Sequence, residues 1–331
     1  MPRILVTSPP LYSGKGPHRE ILEQAGLEIV YPPAEANLWQ ADTLAGLLAG
    51  IDGVLASTEP YTQEVFKRSK ICAVARVGVG YDAVDVPAAT EHGVAVTITP
   101  GTNEHSVAEH ALAMILGVYR GFPGRDQDVR AGKWRRAGLP RLMGRTLGLV
   151  GMGRIGKAIV PRALGLGLRV VAYDPFPDTD FAQQHGVRLM SLDELLTTAD
   201  IVSLHLPATP ETANMIDAAA LAKMKRGSVL INTARGSLVD EDALVAALRE
   251  GHLMGAGLDV FKVEPVPTDH ELLKFPNVMV APHLAGLDHE SLDAMVRLAA
   301  QCLADLYQGR WPAACVVNPT VQSKWSWGGR K

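Results

Sequence analysis

A glycine-rich turn near the middle of the chain is the clearest candidate for chemistry. An apolar run over residues 146–150 leads directly into it, and a helical pattern follows. The turn reads Gly151-Met152-Gly153-Arg154-Ile155-Gly156. Gly151 permits a tight turn, Gly153 lets backbone N–H groups approach a pyrophosphate, and Gly156 allows the helix to pack closely on the strand. Because a helix N-terminus also favours negative charge, the spacing predicts a dinucleotide site.

A carboxylate at the end of the next strand indicates which dinucleotide this is. Asp174 lies 18 residues after Gly156 and directly follows the apolar run 169–173. A carboxylate at this position can accept hydrogen bonds from both hydroxyls of the adenosine ribose, and it repels a 2′-phosphate. We therefore expect NAD, rather than NADP, as the cofactor.

The elements that must position this turn form a regular series of short strands and helices. After residue 145, β-branched and apolar runs predict six strands, which fit a full Rossmann sheet. They cover residues 146–150, 169–173, 201–204, 229–232, 255–259 and 278–281. Pro161 falls inside the helix that follows the turn, so we expect it to kink that helix or to shorten its regular part.

A second series of strands occupies the first hundred residues. Its five runs, at 4–6, 27–30, 53–56, 73–77 and 94–97, alternate with helical patterns. An apolar helix over 106–119 is expected to lie buried between domains, with His105 and His110 serving the domain interface. A helix over 289–306 is expected to return the chain to the first domain.

The predicted fold class is therefore α/β, with two Rossmann-like or flavodoxin-like doubly wound parallel-sheet domains and a cleft between them. Residues 1–102 and 289–331 are predicted to form the substrate (catalytic) domain. Residues 103–288 are predicted to form the NAD-binding Rossmann domain.

Composition excludes several classes of function. The net charge of −3 gives no basic excess for a nucleic-acid partner, and no run approaches the ~20 apolar residues of a membrane span. The three cysteines are odd in number, have no metal-ligand spacing, and are interpreted as small core residues in a reducing compartment. We expect a cytoplasmic protein without a metal site.

Six motifs, in order along the chain, resemble those of the D-isomer-specific 2-hydroxyacid dehydrogenases, a family that includes phosphoglycerate dehydrogenase and glyoxylate/hydroxypyruvate reductases. The resemblance extends from about residue 56 to residue 319. Besides the glycine turn, the motifs are Arg76-Val77-Gly78-Val79-Gly80-Tyr81-Asp82-Ala83-Val84-Asp85, Ser106-Val107-Ala108-Glu109-His110-Ala111-Leu112-Ala113, Asn232-Thr233-Ala234-Arg235-Gly236, Leu258-Asp259-Val260-Phe261-Lys262-Val263-Glu264-Pro265 and Ala281-Pro282-His283-Leu284-Ala285-Gly286.

The resemblance implies roles for individual positions. It implies a catalytic trio of Arg235, Glu264 and His283, and a backbone cradle for the substrate carboxylate in the loop Val77-Gly78-Val79. The implied cofactor contacts, beyond the glycines of the turn, are Arg154 and Ile155 at the pyrophosphate, Asp174 at the ribose, the backbone of Leu206 and Pro207, Thr233 and Ala234 on the nicotinamide side, Asp259 at the carboxamide, and Gly286.

The implied trio has residue types suited to the reduction of a 2-keto acid. Hydride transfer belongs to the cofactor, so the protein must orient the substrate, polarise its carbonyl and move one proton. The guanidinium fork of Arg235 can hold adjacent carboxylate and carbonyl groups, and its small neighbours suggest close approach of a ligand. Histidine titrates near neutrality, so His283 is expected to donate the proton during reduction and to accept it during oxidation. Glu264 is expected to orient His283 and to stabilise its imidazolium.

Two alternatives to a small-acid dehydrogenase remain open. An NAD-sensing binding protein on the same scaffold would use NAD to present a partner surface, although all three catalytic positions are retained. A 3-phosphoglycerate dehydrogenase would need cations near the cradle to pair with a dianion. The nearby loop Ser57-Thr58-Glu59-Pro60-Tyr61 offers an acid and no arginine, and Arg76 is the one obvious cation. This favours small unphosphorylated acids such as glyoxylate or hydroxypyruvate.

Two further segments concern assembly. Residues 121–142 form an irregular stretch that is too long for a simple loop, and in related enzymes this region is a dimerisation arm. The resemblance therefore suggests a homodimer. Trp325 and Trp327 follow no helical or strand period, and we expect them to dock on the protein's own surface or on a second subunit.

Overall fold

The computed structural model describes residues 1–328 and divides the chain into two compact units. Unit 1 comprises Met1–Asn103 and the described residues from Leu287 onward, and unit 2 comprises Glu104–Gly286. Strands and helices are numbered in chain order through both units. No helix within residues 1–328 has the length and apolar character needed to cross a bilayer.

Unit 1 contains a five-stranded parallel sheet in the order β2-β1-β3-β4-β5, which is the flavodoxin-like order. Its strands are β1 (Arg3–Val6), β2 (Glu28–Val30), β3 (Gly53–Ala56), β4 (Ala73–Arg76) and β5 (Ala95–Thr97). Every residue of the two strands β3 and β4 is buried. Such strands show an unbroken apolar run instead of an alternating one, because helices cover both faces of a parallel sheet.

Five helices belong to unit 1. They are α1 (Pro17–Gln24), α2 (Ala41–Leu47), α3 (Gln63–Arg68), α4 (Val86–Glu91) and α12 (His289–Tyr307). The face of α12 that carries Val296, Ala299 and Leu303 is buried in the core beside β1 and β4. Past α12, Trp327 is only 5% exposed in the same core, and the Trp325 Nε1–H donates to the carbonyl of Cys72 at 2.8 Å. The two tryptophans thus dock on unit 1 itself.

Unit 2 contains a seven-stranded parallel sheet in the order β12-β11-β10-β9-β6-β7-β8. Its strands are β6 (Thr146–Val150), β7 (Arg169–Tyr173), β8 (Arg188–Leu189), β9 (Ile201–Leu204), β10 (Ser228–Asn232), β11 (Leu253–Leu258) and β12 (Val278–Val280). The strand order reverses at β6, which pairs with both β7 and β9. In open sheets of this kind, ligands bind outside the carboxyl ends of the strands at such a reversal.

Seven helices belong to unit 2. They are α5 (Glu104–Tyr119), α6 (Phe122–Arg130), α7 (Arg154–Gly165), α8 (Thr179–Gln184), α9 (Leu192–Thr198), α10 (Ala218–Lys223) and α11 (Glu241–Arg249). The long apolar helix α5 packs on α7 and on strands β10, β11 and β12, so its buried face belongs to the core of unit 2.

The prediction of two parallel-sheet α/β domains is confirmed, and two details of it are wrong. The second sheet has seven strands rather than six, because the two-residue strand β8 was not predicted. The stretch 121–142 is not irregular throughout, since α6 occupies Phe122–Arg130. Pro161 lies inside α7, which continues to Gly165, so of the two expected effects shortening is excluded and a kink stays a prediction.

Candidate active site

The glycine-rich turn connects β6 to α7 at the carboxyl ends of the strands. Gly151 has a φ of +101°, and a Cβ at this residue would lie 2.6 Å from the carbonyl oxygen of His205. A Cβ on Gly156 would lie 2.5 Å from the carbonyl oxygen of Gly151. Both positions therefore require glycine, the first because of the loop after β9 and the second because of the turn itself.

Gly153 has a different environment from the other two glycines. A Cβ there would meet no described atom within 4 Å, so the space beside the turn is open at this residue. Gly153 is also the N-cap of the 12-residue helix α7, which begins with the exposed Arg154 and the half-buried Ile155. An open space at the positive end of a helix fits the pyrophosphate of a dinucleotide.

Asp174 attaches the turn to the end of β7. Its Oδ2 accepts a hydrogen bond from the Met152 N–H at 2.7 Å, and its Oδ1 accepts one from the Phe176 N–H at 2.8 Å. Each carboxylate oxygen has a further lone pair, so the half-buried carboxylate can still accept hydrogen bonds from ribose hydroxyls. The geometry therefore fits the ribose position that the sequence predicts for Asp174.

The loop after β9 brings Leu206 and Pro207 next to the glycine turn. The His205 N–H donates to the carbonyl of Val150 at 2.7 Å, and Leu206 is 9% exposed whereas Pro207 is exposed. The His205 ring pairs with the Ser203 hydroxyl through Nε2 at 2.8 Å. Burial lowers the pKa of His205 to about 3, so this imidazole is neutral at physiological pH.

Asn232, at the end of β10, shapes the turn that carries three predicted site residues. Its Oδ1 accepts from the Ala234 N–H at 3.0 Å, and its Nδ2 donates to the Arg235 carbonyl at 2.8 Å. Between them, the hydroxyl of Thr233 is buried and has no hydrogen-bond partner within residues 1–328. A buried polar atom without a partner fits a site that a polar ligand group completes.

Glu264 and His283 form a hydrogen-bonded pair. His283 Nδ1 lies 2.7 Å from Glu264 Oε2, and Glu264 Oε1 accepts from the Phe261 N–H at 2.9 Å. Burial raises the pKa of Glu264, but the hydrogen bonds to His283 and Phe261 and the charges of His283 and Arg235 outweigh burial and lower the pKa. The ionised carboxylate holds Nδ1, which leaves Nε2 as the ring atom that can exchange a proton with a substrate.

Gly236 brings the segment of Arg235 against the segment of Glu264. A Cβ on Gly236 would lie 1.9 Å from the carbonyl carbon of Phe261, so the two backbones are in direct contact. The expectation that the small neighbours of Arg235 serve a ligand is therefore wrong at Gly236, where the close neighbour is the chain itself. Arg235 Nη1 donates to the Ala234 carbonyl at 2.6 Å.

Asp259 holds the loop that carries His283. Its backbone carbonyl accepts from the N–H of His283 at 2.8 Å, and its carboxylate oxygens accept from the N–H groups of Leu284 and Ala285 at 2.9 Å each. His283 has a φ of +56°, a left-handed conformation that is uncommon outside glycine and concentrates at functional sites. Asp259 is 1% exposed. Gly286, directly after Ala285, lies in a turn and is half-buried.

Two residues of α5 that sequence reasoning did not place in the site lie next to this loop or next to Asp259. Ser106 Oγ donates to the Ala285 carbonyl at 2.7 Å, and His110 Nε2 lies 3.6 Å from Asp259 Oδ1. Their i, i+4 spacing places them on one face of α5. The helix also carries Glu104, His105 and Glu109, so its sequence gives no signal that separates Ser106 and His110 from its other polar residues.

In unit 1, the loop Val77-Gly78-Val79 follows the carboxyl end of β4. The Val77 N–H donates to the Ala56 carbonyl at 2.9 Å, and the Gly78 carbonyl accepts from the Thr99 N–H at 3.0 Å. Gly78 has a φ of +154°, and no described atom lies within 4 Å of the position that a Cβ would take. The loop is thus anchored at its backbone and open at Gly78.

Comparison with known proteins agrees with this geometry. The family "D-isomer specific 2-hydroxyacid dehydrogenase, NAD binding domain" matches residues 112–285. The chain is 41% identical to a glyoxylate reductase of Korarchaeum cryptofilum, over 97% of each chain. It is 49% identical to the D-3-phosphoglycerate dehydrogenase of Mycobacterium bovis over 226 residues, which cover 68% of this chain and 43% of that protein. The chain thus spans less than half of the mycobacterial relative.

A solved structure shows the same fold. The D-lactate dehydrogenase of Aquifex aeolicus, complexed with NAD and lactic acid, superposes with a TM-score of 0.84 at 28% identity, covering 96% of this chain and 99% of that one. The expected family and cofactor are therefore confirmed. The chain belongs to the D-isomer-specific 2-hydroxyacid dehydrogenase family and is an NAD-dependent oxidoreductase.

Proposed function

We propose that the protein interconverts a small, unphosphorylated 2-keto acid and its D-2-hydroxy acid. The observation that carries this proposal is the hydrogen bond between His283 Nδ1 and Glu264 Oε2, at 2.7 Å, in the same unit as the glycine turn. An imidazole held by a carboxylate at one nitrogen is arranged to transfer a proton at the other.

Proton transfer, substrate binding and cofactor binding are assigned to different residues of unit 2. Bound NAD supplies or accepts the hydride. Protonated His283 donates from Nε2 to the carbonyl oxygen in reduction, and neutral His283 accepts that proton in oxidation. Glu264 stabilises the imidazolium, and the Arg235 guanidinium binds the substrate carboxylate and carbonyl. The glycine turn, Asp174 and the loops after β9, β10 and β11 bind the cofactor.

We assign recognition of the substrate carboxylate to the loop Val77-Gly78-Val79 in unit 1. The support is its position after a parallel strand, the open space at Gly78 and the anchoring of its backbone by Thr99. On this assignment, residues 1–102 and 289–331 form the substrate domain, and residues 103–288 form the NAD-binding domain.

The surroundings of this loop favour an uncharged substrate tail. Arg76 is 5% exposed, and its Nε donates to the Gly80 carbonyl at 3.1 Å, so its guanidinium is committed in part to the loop itself. Glu59 is fully buried, and its Oε1 accepts from the Tyr61 hydroxyl at 2.8 Å. A phosphate dianion needs strong cationic pairing, which these neighbours do not offer.

3-Phosphoglycerate is the second candidate, because the mycobacterial relative at 49% identity is named for it. The test measures kcat/KM for glyoxylate, hydroxypyruvate, pyruvate and 3-phosphohydroxypyruvate, each with NADH and with NADPH. We expect NADH and an unphosphorylated acid to give the highest value. A higher value for 3-phosphohydroxypyruvate would overturn the substrate proposal.

The role of His283 is tested in the same assay. His283→Ala should lower kcat by about 100-fold or more, since general acid–base catalysis contributes factors of that size. NADH binding, measured by fluorescence titration, should remain intact. Full turnover of this variant would overturn the assignment, and NADH binding without turnover of any acid by the wild type would favour an NAD-sensing protein.

We also propose a homodimer that uses the segment 121–142. Four large apolar side chains in it are exposed: Phe122 at 60%, Val129 at 56%, Trp134 at 80% and Leu139 at 42%. Exposed apolar side chains concentrated in one segment are typical of an association surface. Size exclusion with light scattering measures the mass, and a monomer at assay concentration would contradict the proposal.

The cytoplasm is the compartment that we propose for the protein. Its three cysteines, Cys72, Cys302 and Cys315, are buried free thiols. Free thiols are typical of proteins in reducing compartments. Fractionation of the producing cells would test this proposal.

A further inference from the structure

The helix α5 contributes a polar face to the loop that carries His283. Ser106 and His110 are one helical turn apart. Ser106 bonds to Ala285 of the segment 283–285, and His110 lies next to Asp259, which holds that segment. Leu112, Ile115 and most other buried positions of the helix are apolar and pack in the core of unit 2. Ser106 is buried among these apolar residues, and His110 is half-buried with its Nε2 buried. Apolar packing in the core does not explain these two polar atoms.

The residue between His110 and the loop is a buried carboxylate. Asp259 is 1% exposed, and its two side-chain oxygens accept from the N–H groups of Leu284 and Ala285. A buried carboxylate is costly unless donors compensate its charge. The Nε2 atom of His110 lies 3.6 Å from Asp259 Oδ1.

The imidazole of His110 is placed to serve Asp259. Its Nε2 is buried and has no hydrogen-bond partner within residues 1–328. The distance of 3.6 Å to Asp259 Oδ1 is beyond the usual N–H···O range of about 2.7–3.2 Å, so the two atoms are close without a formed bond. An imidazole nitrogen without a hydrogen-bond partner thus lies next to a carboxylate oxygen of the residue that holds the loop of His283.

We propose that His110 is a positioning residue for His283 and acts through Asp259. Its Nε2–H compensates the Asp259 carboxylate, which accepts from the N–H groups of Leu284 and Ala285. The backbone carbonyl of Asp259 accepts from the N–H of His283, so this one residue holds all three consecutive N–H groups of 283–285. Ser106 holds the Ala285 carbonyl of the same loop. The inference rests on the proposed role of His283 and adds the element that keeps its left-handed backbone in place.

The test compares two substitutions of similar size at residue 110. His110→Gln keeps a neutral N–H donor near the Nε2 position, and His110→Leu removes it. At saturating NADH we expect His110→Leu to lower kcat about tenfold or more, because a small displacement of a catalytic group has effects of that order. KM for the keto acid should change less than about twofold, because Arg235 is on another element. His110→Gln should regain most of the lost kcat.

The thermal unfolding midpoint is measured for both variants, and their kcat values then separate this role from simple packing. A packing role predicts that kcat does not distinguish the two variants, and either equal kcat for both or unchanged kcat in His110→Leu overturns the proposal. If His110→Leu does not fold, His110→Asn gives the same contrast with His110→Gln, because the shorter amide does not reach the Nε2 position. His105→Gln, on the same helix, serves as the matched control.

Failure of this inference is distinguishable from failure of the proposed function. The wild-type assay and His283→Ala establish independently whether His283 transfers the proton. If that variant loses turnover while His110→Leu retains full kcat, only the role of His110 is lost. The Ser106→Ala variant, which removes the bond to the Ala285 carbonyl, should lower kcat in the same direction as His110→Leu.

Discussion

At the scale of single residues, the site depends on one carboxylate that remains ionised and one imidazole that changes charge. The pKa of Glu264 is raised by burial but lowered overall by its bonds to His283 and Phe261. Its contribution to stability is therefore present above the unfolded value of about 4.3 and is lost as the pH falls through the lower folded pKa. Through the working range near neutrality, Glu264 keeps its negative charge beside His283.

The first prediction concerns this charge. Glu264→Gln keeps the shape of the side chain but removes the carboxylate that favours the imidazolium, so keto-acid reduction should decline at a lower pH than in the wild type. At the optimum, kcat should fall about 10- to 100-fold. The measurement is a pH–rate profile at saturating NADH. Glu271→Gln, an exposed glutamate paired with Lys274, is the control. An unchanged profile in Glu264→Gln would show that the carboxylate is only a structural neighbour.

At the scale of elements, the glycine turn has one glycine that the fold requires and one that the ligand requires, and steric contacts show which is which. A Cβ on Gly156 meets the Gly151 carbonyl at 2.5 Å, whereas a Cβ on Gly153 meets no described atom within 4 Å. Gly156 is needed by the fold, whereas Gly153 is needed only by the ligand that binds in the open space. The spacing of the motif predicts these different roles, and the steric contacts agree with them.

The second prediction uses this difference. Gly156→Ala should destabilise the protein by about 1–3 kcal/mol, as overpacking does, and should also weaken NADH binding. Gly153→Ala should leave the thermal midpoint close to the wild type but raise the Kd for NADH about tenfold, which corresponds to ~1.4 kcal/mol. Calorimetry and fluorescence titration measure the two quantities. Equal loss of stability in both variants would contradict the steric assignment.

Most helices and strands could be predicted because their buried residues give the sequence a regular apolar pattern. The helix α6 and the strand β8 were missed because they lack such a pattern. The strands β6, β7 and β9 have the predicted bounds. The helix α6 buries no residue, so its sequence carries no apolar period that could reveal it. The strand β8 has two residues, which are too few to show any period.

The same limit applies to the site. Gly151, Gly153 and Gly156 could be interpreted from spacing because one local turn creates their roles. The contact of Gly236 with Phe261 and that of His110 with Asp259 join residues that are distant in sequence. No local pattern encodes such contacts, so only the folded chain reveals them.

At the scale of the whole molecule, each unit has its own core, and the core of unit 1 is completed by the end of the described chain. Trp327 is 5% exposed and packs at 5.5 Å from the ring of Tyr307 on α12. A Cβ on Gly53, in the middle of the sheet, would lie 3.2 Å from the Trp327 ring. The indole therefore packs against β3 together with Ile4 and Leu303, which lie at similar distances from the same position.

The third prediction follows from this packing. Trp327→Ala should lower the free energy of unfolding of unit 1 by about 3–5 kcal/mol, the usual cost of removing a large buried aromatic side chain. Four of the five tryptophans lie in unit 1, so the urea transition followed by tryptophan fluorescence reports mainly on that unit. Trp39→Ala, which removes a tryptophan that is 56% exposed, should change the same transition by less than about 0.5 kcal/mol. If the two variants unfold at the same urea concentration, the terminal segment does not contribute to the core of unit 1.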